Sequence, residues 1–175
     1  RAQAISTWEK LLRINPKAGV AQFRIGETQL AGGDREAALA SFRKAAQISP
    51  DAAEPQIGIA MVLYQQGKKD EAMRIATRMK AGDRLKVPGT ILEGDLLAAD
   101  GKWADASERY RAAFTQQRAL PTGFKLHRAL RAARRDDDAD RFLRDWIRSE
   151  PANLALRLYA GESETLRQHW KEAFE

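Results

Sequence analysis

Gly26-Glu27-Thr28-Gln29-Leu30-Ala31-Gly32-Gly33-Asp34-Arg35-Glu36-Ala37-Ala38-Leu39-Ala40-Ser41-Phe42, closed by Pro50, is the stretch that decides the fold. It reads as a helix, a Gly-Gly-Asp turn, a second helix and a proline stop. Glycine takes the positive φ that such a turn needs, and aspartate can cap the helix that follows. The unit recurs. A step of 34 residues carries Ala4 to Ala38, Ala72 and Ala106, and Gly33 to Gly67 and Gly101. From Gly26 the same step reaches Ala60 and Gly94. Small residues at a fixed period of this size mark stacked helix pairs, each of which buries its apolar face only against its neighbours.

Outward from this unit the chain divides at each recurrence. Residues 1–18 read as the second helix of a repeat, with Ala4, Trp8, Leu11 and Leu12 on one side and Asn15-Pro16 as the stop. Complete repeats are expected at 19–52, 53–86, 87–119 and 120–153, and a partial one at 154–175. The repeat at 53–86 departs from the others. Ala76 stands where they carry a large aromatic, and a glycine C-cap at Ala81-Gly82-Asp83 replaces the closing proline. The spacing slips by one residue near Arg118-Ala119-Leu120-Pro121. Trp103 lies three residues before Ala106 as Trp170 does before Ala173, which sets the last register. A chain that starts at Arg1 and ends at Glu175 inside helices reads as a segment of a longer array. Cut helices at both ends predict dimerisation through the terminal helices.

Composition agrees with one array of 175 residues. The 43% hydrophobic fraction can supply a continuous core, and the 31% charged fraction suits many exposed helix faces. Cysteine is absent, so there is neither a disulfide framework nor a thiolate metal site. No run approaches the ~18 apolar residues of a membrane span. The net charge of +6 permits an acidic partner without requiring one.

These residues resemble the tetratricopeptide repeat (TPR) family, whose pattern ends in A-x3-F and a closing proline. Ala4/Trp8/Pro16, Ala38/Phe42/Pro50 and Ala106/Tyr110 match its second half. In the first half Ile25-Gly26 fits, while Gln22 and Gln29 replace two aromatics. The resemblance spans the whole chain and implies an all-α fold, a right-handed TPR superhelix (α-solenoid) of stacked antiparallel helix pairs. The run Lys125-Leu126-His127-Arg128-Ala129-Leu130, with Ala139-Asp140, Trp146, Pro151 and Leu154 to Tyr159, looks like the TPR lipoproteins of bacterial exopolysaccharide and PEP-CTERM protein-sorting systems. That likeness implies an exported, lipid-anchored scaffold, periplasmic or held at the outer membrane. Without it a cytoplasmic location is the default.

The TPR resemblance also implies that first helices line a concave face. One row of equivalent positions there reads Phe23, Ile57, Ile91, Phe124 and Leu158. A second reads Glu27, Met61, Asp95, Arg128 and Glu162, and a third Leu30, Tyr64, Ala98, Arg131 and Thr165. Phe23, Glu27, Leu30, Ile57, Met61, Tyr64, Ile91, Asp95, Phe124, Arg128 and Arg131 are the candidate partner-binding residues. The apolar row suits an extended peptide or an amphipathic helix, and it suits packing against the next repeat equally well. Asp95, Arg128 and Glu162 alternate in sign, which favours an inter-repeat ladder over a ligand set. The Lys and Asn that clamp a chaperone carboxylate in this family are missing from the equivalent positions. Lys125, Arg128 and Arg131 form a basic end that could attract an acidic segment or an acidic polysaccharide. Interleaved acids and the lack of a base-reading motif argue against nucleic acid.

No catalytic constellation is visible. His127 and His169 lie in different repeats with no third ligand, so no metal site is assigned. Asp136-Asp137-Asp138-Ala139-Asp140 lacks the glycine and distal glutamate of a calcium loop, and reads as a helix cap facing the N-terminal dipole. The functional expectation is a non-enzymatic protein-protein interaction scaffold without cofactor. The alternative is a cell-envelope scaffold tied to exopolysaccharide export or PEP-CTERM sorting.

Overall fold

A computed structural model describes the backbone of residues 2–174 and the side chains up to residue 165. Within those residues the chain forms ten α-helices and a single 3-10 turn, with no strand. The helices are α1 (Ala2–Ile14), α2 (Gly19–Ala31), α3 (Arg35–Ile48), α4 (Ala53–Gln65), α5 (Lys69–Ala81), α6 (Lys86–Ala99), α7 (Trp103–Gln116), α8 (Leu120–Ala132), α9 (Asp136–Ser149) and α10 (Leu154–Phe174). Short connections turn each helix back along the one before it, so neighbours are antiparallel. Each packs mainly on its chain neighbours, and α2, α4 and α6 also touch in series. The result is an α-solenoid of stacked helix pairs.

The turns explain the glycine period. Gly33, Gly67 and Gly101 have φ of 87°, 79° and 73°, in the left-handed region. At the first of them the Asp34 amide donates to the Gln29 carbonyl and the Gly33 amide to the Leu30 carbonyl. That pair of bonds is a Schellman closure, which satisfies carbonyls left over at the helix end. The other two turns repeat it. The Asp34 carboxylate then accepts from the Ala37 amide at 3.0 Å and caps α3. The fourth turn makes the same bonds with Arg134, at φ 57°, in the glycine's place.

The core explains the alanine period. Ala38, Ala72, Ala106 and Ala139 are all fully buried. Each large aromatic of a second helix sits over a small residue of the first. A Cβ on Gly26 would meet the Phe42 ring at 2.6 Å, and one on Gly94 would meet Tyr110 at 2.7 Å. In the pair between them Ala60 and Ala76 are both fully buried, so this repeat closes without an aromatic. The last complete pair reverses the sizes. His127 is buried on α8 and the aromatic moves to Trp146, which leaves no room for a Cβ on Gly123. Burying one side chain of the Phe42 class contributes about 1.5–3 kcal/mol.

Three local expectations need correction. Gly82 is the C-cap of α5 as expected, but not in the left-handed form. It is extended (φ −100°, ψ 135°) and leads into the 3-10 turn Asp83–Leu85. That path starts α6 where Gly89 can lie against the α5 backbone, with a hypothetical Cβ only 2.8 Å from the Lys80 amide nitrogen. The aspartates of α9 are not its cap. The cap residue is Arg135, with no side-chain cap bond, and Asp136, Asp137 and Asp138 fill the first turn, where the dipole favours them. On α1 the packed side only overlaps the one read from sequence: Trp8 and Leu12 are half-buried as expected, together with Ile5, while Ala4 and Leu11 are exposed. Its neighbour is α2, so a single face is covered. Leu166, His169, Trp170 and Ala173 lie outside the residues whose side chains are described.

Candidate functional site

The first halves of α2, α4 and α6 carry Phe23, Ile57 and Ile91. All three are half-buried. Phe23 packs on Phe42, ring centroids 5.4 Å apart. Their remaining surfaces open onto two cavities. One, of about 270 Å³, is lined by Val20, Phe23 and Pro55. The other, of about 280 Å³, is lined by Ile57, Val87 and Ile91. Both include Glu54, so they adjoin. Val20 is 70% exposed although apolar. The geometry is an apolar trough crossing successive helices, with Arg24 and Glu54 at its edge.

Phe23 and Ile57 also pack against the first core cluster, and Ile91 against the second. Leu30, Met61 and Tyr64 pack against the first core cluster. Phe124 stacks on Tyr159 at 4.0 Å, with an interplanar angle of 19°. Leu158 is exposed.

Most polar candidates have partners within the chain. Glu27 pairs with Arg24 at 2.7 Å. Asp95 accepts from the Tyr110 hydroxyl at 2.7 Å and from Lys125 Nζ at 2.6 Å. Burial, then the Asp95 carboxylate, pushes the Tyr110 phenol far above its ordinary range. The Tyr64 hydroxyl donates to Asp100 at 2.6 Å, and Lys69 donates to the same oxygen at 2.5 Å. Those two bonds, Lys69 first, hold the Asp100 carboxyl below its usual value. Arg131 bridges Asp136 and Asp140. Arg128 alone among these polar candidates is exposed with no ion pair to a described residue.

Asp100 and Lys69 were not singled out from the sequence, and neither was Glu54. A signal for such bridges did exist. Arg84–Asp51, Lys125–Asp95 and Arg118–Glu150 all join opposite charges roughly one repeat apart. Among the described residues no group of three His, Cys, Asp or Glu is placed to hold a metal. No helix of the described residues is long and apolar enough to cross a membrane.

A tetratricopeptide repeat family model matches residues 29–85. A thermophilic TPR protein of Thermus thermophilus superposes with a TM-score of 0.64 at 20% identity, over 90% of this chain and 87% of its own. PilW, a widely conserved type IV pilus biogenesis factor, gives 0.66 at 20% identity, over 98% of this chain and 83% of its own. YrrB, a TPR protein with an unusual peptide-binding site, gives 0.54 at 17% identity, over 92% and 83%. No curated protein matches the chain in sequence. The chain thus has the fold of TPR proteins, the right-handed all-α solenoid.

Proposed function

We propose that the chain is a non-catalytic protein-interaction scaffold, binding an extended peptide or a helix along the trough floored by Phe23, Ile57 and Ile91. One observation carries this reading: side chains from three successive first helices open onto two adjoining cavities that share Glu54. A single apolar ligand side chain could enter each cavity, while Arg24 and Glu54 at the edge would fix direction. The peptide-binding site named for YrrB supports the general mode and says nothing of these residues.

The test is selection of binding peptides from a displayed random library, followed by titration against variants. Val20→Glu changes an exposed side chain and should leave the fold intact. Ile57→Ser with Ile91→Ser removes apolar contact area worth about 1 kcal/mol each, so selected peptides should weaken roughly thirtyfold. Peptides that bind all variants equally would place recognition elsewhere.

A further inference from the structure

Trp103 is the first residue of α7 and remains 38% exposed. Two cavities, of about 310 and 380 Å³, meet on its side chain and on Ala132. Lys125 and Arg128 line one of them, Lys102 and Arg134 the other. The indole is therefore flanked by cations on both sides. Asp95 holds Lys125. The Lys102 charge acts on the nearby Asp100 carboxylate, whereas Arg128 and Arg134 form no ion pair with a described residue, and Asp105 is the one carboxylate in the lining.

Arg134 is also costly where it stands. Its equivalents Gly33, Gly67 and Gly101 take the left-handed turn without strain, whereas Arg134 takes it with a side chain. Glycine would serve that turn better, and Arg134 points its extra cost at the cavity beside Trp103. Strain kept at one residue is a reason to look for function there.

We propose that this basin is a second recognition site, taking an acidic segment of a partner polypeptide in which an apolar side chain lies beside the carboxylates. The indole face offers flat apolar contact, and the guanidinium forks of Arg128 and Arg134 match carboxylates. A single-stranded nucleic acid would call for a row of aromatics, and Trp103 is the one exposed aromatic in the lining. A neutral sugar chain would call for carboxylates and amides toward its hydroxyls, and the lining supplies Asp105 alone. An acidic sugar chain would match the same cations, and competition by an oligouronate separates it from a peptide.

Trp103 and Arg134 sit at the turns joining α6 to α7 and α8 to α9. The Phe23–Ile57–Ile91 trough adjoins the opposite connections, at Ala52 and Ala119. The two sites lie on opposite edges of the solenoid and can be tested apart.

The experiment titrates the full chain into a dye-labelled peptide of alternating Glu and Phe and follows fluorescence anisotropy. A Lys/Phe peptide, an oligouronate and a single-stranded oligonucleotide serve as competing probes. The Glu/Phe peptide should bind, and weaken with added salt. Arg128→Glu, Trp103→Ala and Arg134→Gly should each weaken it about tenfold, the loss of one charge-assisted contact or its equivalent. Val20→Glu, in the trough, should have no effect. Arg134→Gly should also raise Tm, so its lost binding is not lost folding. Failure of the Glu/Phe peptide to bind, equal binding of the Lys/Phe peptide, or indifference to Arg128→Glu would overturn the proposal. So would tighter binding of the oligouronate or oligonucleotide than of the peptide.

Discussion

Gly94 lies so close to Tyr110 that a methyl group at the glycine would approach the ring to 2.7 Å. This contact sets the spacing between α6 and α7, and the hydroxyl of the same tyrosine reaches Asp95. Helix propensity alone would make Gly94→Ala stabilising by about 0.5–1 kcal/mol. Overpacking against the ring acts the other way, by about 1–3 kcal/mol. The net expectation is destabilisation of roughly 1 kcal/mol, measured by urea unfolding. A gain in stability would show that the ring moves aside freely.

Arg134→Gly should act in the opposite direction. Relieving a left-handed arginine returns about 1–2 kcal/mol, from which the greater freedom of glycine in the unfolded chain removes part. The expected gain is roughly 0.5–1 kcal/mol, visible as a higher Tm. Gly33→Ala, the reverse change at the equivalent turn, should cost a similar amount.

Tyr110→Phe keeps the ring over Gly94 and removes only the hydroxyl that donates to Asp95. Asp95 retains Lys125 at 2.6 Å, so no carboxylate is left unpaired. A loss of about 1 kcal/mol is expected in the same unfolding assay.

His127 should make stability depend on pH. Its Nδ1 lies 2.8 Å from the Tyr159 hydroxyl, while Nε2 is buried without a partner among the described residues. Burial, then the Arg131 charge, lowers its pKa from 6.5 to about 4, against a smaller opposing effect of Asp140. The folded chain therefore keeps the ring neutral where the unfolded chain takes a proton. Its contribution is fully present above 6.5 and is lost as pH falls from 6.5 toward about 4. The carboxyls of Asp100, Asp138 and Glu150 are lowered, so their contributions fade at lower pH, below the ordinary carboxylate range. Tm followed through both windows should show the upper slope vanish in His127→Gln and the lower one persist.

Much of the architecture was legible because its causes are local. A turn that needs positive φ selects glycine at Gly33, Gly67 and Gly101, and close helix crossing selects alanine at Ala38, Ala72 and Ala106. Both recur once per repeat whatever the neighbours do. The departures at Gly82 and Asp136 were misread for a related reason. Each residue type was assigned its commonest role, whereas the path into α6 and the closure at Arg134 decided otherwise.

The period, the antiparallel pairing and the small residues of the core can be read along the chain, since helix pitch and turn chemistry need no distant partner. Which side chains are paired emerges only once the helix pairs are stacked. Tyr64 meets Asp100, Asp95 meets both Tyr110 and Lys125, and Arg128 meets no carboxylate among the described residues. Stacking also brings Trp103 and Arg134 to the same cavity from neighbouring repeats. The physical reason is that such meetings depend on how each helix pair turns and seats on the next. That seating follows from the fit of bulky and small side chains across the stack, Phe42 over Gly26, Tyr110 over Gly94 and Trp146 over Gly123.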